Sequence, residues 1–103
     1  MKIIQKLSDM ISEEIADAGK YARCALEYRE ENRGLADAFY LLSMEEMRHM
    51  QILHGEVTKI IEQYRKDHGE PPPSMLAVYD YLHGKQIEKA GEAKALQALY
   101  KET

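Results

Sequence analysis

The sequence predicts a single all-α domain that spans residues 1–103. Good helix formers dominate the chain, which is 45% hydrophobic and 31% charged, a balance typical of soluble globular proteins. Apolar side chains recur with the period of an α-helix over long stretches, and no strand pattern competes with them. Glycine and proline are few and gather at the boundaries between these stretches. A helical bundle is therefore expected.

The first predicted helix runs from residue 2 to about residue 31. With Glu14 set at 0° and each residue advancing by about 100°, an apolar stripe lies within about 40° of that glutamate. Asn32 and Gly34 then predict a tight turn, and so short a connection makes the next helix an antiparallel neighbour. The stripe consists of Ile3, Leu7, Met10, Ala18, Tyr21, Ala25 and Tyr28.

The second predicted helix runs from about residue 35 to residue 67 and stops at Gly69. Glycine just past the end of a helix, followed by proline, is a typical stop signal. Residues 69–73 form a proline-rich linker, which is expected to be stiff and extended. Ser74 is the predicted N-cap of a third helix over residues 74–101.

The second helix has two apolar faces, and both require cover. One of these faces surrounds Glu46. The third helix is expected to cover one side of the hairpin. Three helices still make a thin core, so we expect a C2 homodimer that completes a four-helix bundle, or a higher even-numbered homo-oligomer. The Glu46 face holds Leu35, Phe39, Leu42, Leu53, Val57, Ile60 and Tyr64; the opposite face holds Leu41, Met44 and Ile52; the third helix offers Leu76, Tyr79, Leu82, Ile87, Ala90, Ala93 and Leu96.

The charge pattern argues against several classes of partner. The net charge is −4 and the basic residues are spread along the chain, so neither nucleic acid nor a membrane is an expected partner. No apolar run is long enough for a transmembrane helix, and the first residues are too polar for a signal peptide. The single cysteine, Cys24, excludes four-cysteine metal sites, and a cytoplasmic location is expected.

Glu14 and Glu46 are the most informative residues, because each is placed at the centre of an apolar stripe. An ionised carboxylate at such a position costs several kcal/mol unless something pairs with it. His49 follows Glu46 by three residues and lies on the same side of the helix. Two carboxylates and an imidazole that converge between helices predict a metal site, with iron or manganese as the ion that suits these ligands.

The number of ligands fits a site shared by two chains. One chain offers too few ligands for two metals, whereas a dimer offers four glutamates and two histidines. That is the ligand set of the di-iron carboxylate four-helix bundles.

The spacing of these residues resembles half of a rubrerythrin-type ferritin-like bundle. Glu14-x6-Tyr21, followed by Glu46-x-x-His49, is also similar to the encapsulated ferritins, two-helix hairpins that dimerise around a di-iron site. The resemblance covers about residues 8–66. It implies that Glu14, Glu46 and His49 are iron ligands, that Tyr21 is a phenol hydrogen-bonded to a ligand, and that Glu13 lies where iron approaches. The activity implied is oxidation of Fe(II) by O2 or peroxide, in iron handling or protection from oxidative stress.

Several features depart from that pattern. Lys20 stands where the encapsulated ferritins tend to have an aromatic residue, and residues 98–103 show no evident encapsulin-targeting tail, so an encapsulin shell is not an expected partner. The four cysteines of the rubrerythrin electron-transfer module are missing. Asp80 and His83 repeat the i, i+3 spacing. Either they join the metal site, or His83 is a residue at the edge of the core that forms a hydrogen bond with a backbone carbonyl or a tyrosine. The alternative function is a helical assembly or adaptor module without bound metal.

Overall fold

The structure is a computed structural model that describes residues 2–102. Within this range the chain forms three helices and no strand: α1 (Lys2–Tyr28), α2 (Arg33–His68) and α3 (Pro73–Lys101). The predicted all-α fold class is therefore confirmed. The molecule is a rod of 55 × 20 × 18 Å, whose length follows from that of α2 at about 1.5 Å per residue.

The boundary between α1 and α2 differs by two to three residues from the predicted one. Helix α1 ends at Tyr28 rather than near residue 31, and α2 begins at Arg33 rather than near residue 35. The cause is Asn32, whose side-chain oxygen accepts a hydrogen bond from the backbone N–H of Leu35 at 3.1 Å. Such a cap satisfies a backbone donor that the first turn of a helix leaves unpaired, and it fixes the start of α2.

The stop signal at Gly69 is confirmed, but the predicted N-cap of α3 is wrong. Gly69 has φ 79°, a left-handed conformation that glycine adopts without a Cβ clash, and its N–H donates to the carbonyl of Arg65 at 3.0 Å. Helix α3 starts at Pro73 with Pro72 as its N-cap, so Ser74 already lies inside the helix. Proline suits the first helical position because it has no N–H to leave unpaired.

Small side chains are frequent among the buried residues of α1 and α2. Ala18, Ala22, Ala25 and Ala36 are fully buried, and Val57 is the largest side chain with less than 2% exposure. Alanines let two helix backbones approach closely, but they bury little apolar area for each residue. The core is therefore thin, as the sequence predicts.

The packing order confirms an antiparallel hairpin. Near the turn, Tyr28 stacks on Phe39, and further along the hairpin Glu14 contacts His49. The contact between α1 and α2 is the most extensive in the molecule, and α1 also packs against α3. The backbones of α2 and α3 lie further apart, and these helices meet through long side chains, as where Tyr40 stacks on Tyr100.

Two glutamines attach α3 to the hairpin. Gln97 donates to the hydroxyl of Ser43 at 2.8 Å, and that hydroxyl donates to the carbonyl of Ala18 at 2.6 Å. The amide nitrogen of Gln86 lies 3.0 Å from the carbonyl oxygen of Ser8 and 3.1 Å from the hydroxyl of Ser12. Buried polar groups of this kind require matched partners, so they fix the position of α3 along the hairpin.

Helix α3 docks beside the hairpin and leaves the outer apolar face of α2 uncovered. Ser8 and Ser12 lie about 120–160° around α1 from Glu14, so α3 sits beside the hairpin and away from the glutamate. The opposite face of α2 remains in solvent, and Ile87, one of the α3 residues predicted to cover one side of the hairpin, is 59% exposed. The exposed residues of that face are Leu41, Met44 and Ile52.

The side of the hairpin that carries Glu14 and Glu46 is here called the open face. Its apolar residues are partly in solvent although they belong to the two predicted stripes. The most exposed are Ile3, Met10, Leu35 and Leu42, at 39–47%.

No helix within residues 2–102 combines the length and the apolar character needed to cross a lipid bilayer.

Candidate metal centre

The hairpin brings Glu14, Glu46 and His49 together from two helices. Glu14 is near the middle of α1, while Glu46 and His49 are one turn apart on α2. Because residues three apart on a helix are neighbours, both α2 side chains reach toward the same point on α1.

The three side chains form one compact group. Nδ1 of His49 lies 3.3 Å from Oε2 of Glu14 and 3.7 Å from Oε2 of Glu46. One ligand atom from each residue lies within 4.8 Å of the other two. Among residues 2–102 this is the only group of three histidine, cysteine or acidic side chains that meets this distance criterion.

The predicted central position of the glutamates in the core is wrong. The side chains of Glu14 and Glu46 are 25% and 17% exposed, and that of His49 is 50% exposed. The buried stripe is turned by about 60–80° from them, because the alanine contact between the helices and the docking of α3 draw the core toward that side. The buried residues are Ser8, Ile11, Ile15, Ala18, Gly19, Ala22 and Ala25 on α1, and Ala36, Ser43, Met47 and Val57 on α2. The group therefore lies at the edge of the core, on the open face.

The electrostatics of the group are unfavourable for two free carboxylates. A hydrogen bond with the Glu14 carboxyl, partial burial and the negative charge of Glu14 raise the pKa of Glu46 from 4.5 to about 7, although His49 opposes the shift. Asp17 adds a smaller contribution in the same direction, and its part in the site was missed from the sequence. Near neutral pH the pair holds a proton that a bound cation would displace.

We expect the metal-free protein to lose stability as the pH rises from about 4.5 to about 7. Because the folded chain holds the Glu46 proton more tightly than the unfolded chain does, unfolding releases that proton within this window. The loss should be about 2 kcal/mol, after allowance for the solvent that reaches the group. Urea unfolding at a series of pH values, measured against Glu46→Gln, would isolate this contribution.

The control for this titration is Glu62→Gln, which neutralises an exposed glutamate of the same helix. The difference in free energy of unfolding between Glu62→Gln and the parent should not vary with pH across the same window. If the difference in free energy of unfolding between Glu46→Gln and the parent is also independent of pH, the carboxyl groups of Glu14 and Glu46 are not coupled.

Aromatic rings lie beside the group on the side toward the turn. The ring of Tyr21 stacks with that of Phe39 at 6.2 Å between centroids, and Tyr28 stacks on the same phenylalanine at 6.1 Å. No hydrogen bond joins the Tyr21 hydroxyl to another described residue, so the role of Tyr21 in orienting a ligand stays a prediction. Glu13 is exposed on α1, next to Glu14 in the chain.

Asp80 and His83 do not join the group. Asp80 is exposed, and His83 packs between the rings of His54 and Tyr79 at the contact between α2 and α3. The expected alternative, in which His83 is satisfied by a nearby hydrogen bond, is not seen either, because its buried Nδ1 forms no hydrogen bond with a described residue.

The donor set of the group suits a metal ion that prefers oxygen and nitrogen ligands. Carboxylates and imidazole bind iron and manganese well, and sulfur is absent from the three residues. Comparison of the chain with protein-family models, with curated proteins and with solved structures gives no match. The grouping of Glu14, Glu46 and His49 is therefore the observation from which a function is inferred.

Proposed function

We propose that this protein binds iron in a ferritin-like, di-iron carboxylate site and oxidises Fe(II) with O2 or peroxide. The observation that carries the proposal is the convergence of Glu14, Glu46 and His49 within 4.8 Å on the open face. Without a cation, two carboxyl groups that share a proton beside an imidazole are electrostatically unfavourable. A bound cation would replace the shared proton and stabilise both carboxylates.

The open face supports a shared site between two copies. It combines exposed apolar side chains, among them Met10 and Leu42, with the three ligands. Burial of such residues against a second hairpin would thicken a core that is thin in one chain. A two-fold axis through this face would bring together four glutamates and two histidines, enough for two metal ions.

In this proposal the protein supplies ligands, charge and positioning. Glu14 and Glu46 would hold the ions through their carboxylates, and His49 would provide a nitrogen ligand. As substrates, two Fe(II) ions held there would be oxidised to Fe(III), and O2 would take up their two electrons and two protons from solvent to give hydrogen peroxide. The proton held by Glu46 would leave to solvent when the cation binds, because the group stays partly exposed. Manganese would fit the same ligands.

The test is anaerobic loading with one Fe(II) per chain, followed by air. Ferric absorbance should rise several-fold faster than in a protein-free control, and light scattering should show an even-numbered oligomer. Glu46→Ala should reduce the rate to that of the control, whereas Glu45→Ala, which truncates the exposed neighbour, should behave like the parent. A parent protein with no rate above the control would refute the ferroxidase function.

A metal-free adaptor module is the second candidate, and the exposed outer face of α2 is the observation in its favour. Leu41 and Ile52 are 60% and 56% exposed there, although both are large and apolar. A protein that remains a metal-free monomer after iron loading would favour this candidate over the first.

A further inference from the structure

The outer side of α2 carries a row of exposed residues with the spacing of a coiled coil. Successive members are alternately three and four positions apart, the pattern by which one helix packs along another. The row is centred about 170° around α2 from Ser43, whose hydroxyl contacts both α1 and α3, so it points away from the rest of the chain. This row, here called the outer seam, consists of Ala38, Leu41, Glu45, Arg48, Ile52 and Gly55.

The outer seam holds two large apolar side chains that nothing in the single chain covers. Leu41 and Ile52 are 60% and 56% exposed, and Met44, beside the seam, is 43% exposed. Removal of such side chains from water is favourable and proportional to the apolar area that a partner covers. The seam therefore gains by packing against a second helix.

The two central positions of the seam carry opposite charges that the single chain leaves unused. Glu45 and Arg48 are exposed, and neither takes part in an ion pair within residues 2–102. If two seams packed in parallel, each residue would face its own copy and like charges would meet. If they pack antiparallel and centred between residues 46 and 47, Glu45 of each copy faces Arg48 of the other. The charges are therefore complementary to a second copy in the antiparallel arrangement.

The same antiparallel register matches the other positions of the seam. It places Leu41 of one copy against Ile52 of the other, and Ala38 against Gly55. A Cβ added to Gly55 would meet no atom within 4 Å, so the fold of the single chain does not require glycine there. Glycine inside a helix is nevertheless less stable than alanine. Close approach of a second backbone at the ends of the seam accounts for these small residues.

We propose that a second copy of this chain docks on the outer seam, with the two α2 helices antiparallel about a two-fold axis. Two apolar layers of Leu41 and Ile52 flank two ion pairs between Glu45 and Arg48 of opposite copies. This contact does not involve the three ligands on the open face and does not rest on the proposed function. Where the open face also pairs, the two contacts together build an assembly larger than a dimer.

The experiment uses the metal-free full chain with Met10→Glu, which places a charge on the open face and opposes pairing there. Light scattering over a dilution series should give the mass of two chains. Glu45→Arg or Arg48→Glu should each raise the dissociation constant at least about tenfold, because like charges then face each other. The two exchanges combined should restore the pair, since opposite charges meet again.

A further variant separates pairing from folding. Gly55→Leu should keep the helical circular dichroism of the parent but weaken the pair, because the larger side chain holds the two helices apart. Gly84→Leu is the matched control, since this exposed glycine of α3 also has open space around it and lies outside the seam. A monomer in the Met10→Glu background would overturn the proposal in favour of a different partner protein. Failure of the combined charge exchange to restore the pair would equally refute the antiparallel contact.

Discussion

Replacing Glu46 with leucine is expected to stabilise the metal-free protein and to abolish the stabilisation by metal ions that the proposed function requires. The substitution removes a carboxyl group that shares a proton with Glu14, and it extends the apolar stripe between Leu42 and Leu53. The free energy of unfolding at pH 8 should rise by about 1–2 kcal/mol. If the proposed function holds, the parent gains about 2.7 kcal/mol with Fe(II) or Mn²⁺ at about one hundred times Kd, and this gain should be absent in the variant.

Thermal unfolding with and without each ion measures both effects. The matched control is Glu45→Leu, which places the same side chain one residue earlier, at an exposed position outside the group. This control should keep the full response to metal. A Glu46→Leu protein that responds to metal like the parent would show that the carboxylate is not a ligand.

Replacing Ala22 with leucine is expected to cause a large loss of stability. Ala22 is fully buried on α1, among the small side chains that make up much of the buried surface of α1 and α2. A leucine there would force the two backbones apart, at a cost of about 3 kcal/mol in the free energy of unfolding. The separation would also move Glu14 away from His49 and weaken metal binding.

Urea unfolding of Ala22→Leu and of Ala16→Leu would measure this effect. Ala16 is exposed on the same helix, so the same substitution there should change stability by no more than about 0.5 kcal/mol. Equal losses in the two variants would mean that the hairpin does not depend on close approach at Ala22.

Local signals were sufficient to predict the helices. Asn32, Gly69 and the prolines after it placed the ends of α2 to within two residues. Ser74 was the exception, because two positions compete for the start of α3 and proline needs no side-chain cap at the first helical position. Such signals act between residues close together in the chain, which is why sequence alone reveals them.

The membership of the candidate site was also predictable, but its depth was not. Helical spacing on two antiparallel helices is enough to bring Glu14, Glu46 and His49 to one place. Each apolar stripe, however, is wider than the surface that one neighbouring helix covers. Which part of the stripe becomes buried depends on the close contact of alanines and on α3, and these leave both carboxylates at the edge of the core.

The contact between His54 and His83, by contrast, was not predictable from the sequence. His54 and His83 are 29 positions apart, on different helices, and the i, i+3 spacing of Asp80 and His83 does not indicate His54 as a neighbour. Their contact follows from the position of α3 along the hairpin, which Gln97 and Gln86 fix through hydrogen bonds to Ser43 and Ser8.

The sequence by itself determined an all-α chain, an antiparallel hairpin and the convergence of Glu14, Glu46 and His49, because each follows from helical periodicity and short turns. Only the tertiary structure decided which flank of each stripe is buried, where α3 docks and which rings meet across it. The physical reason is that these choices depend on side-chain volumes and hydrogen bonds between residues distant in the chain, and periodicity carries no information about either.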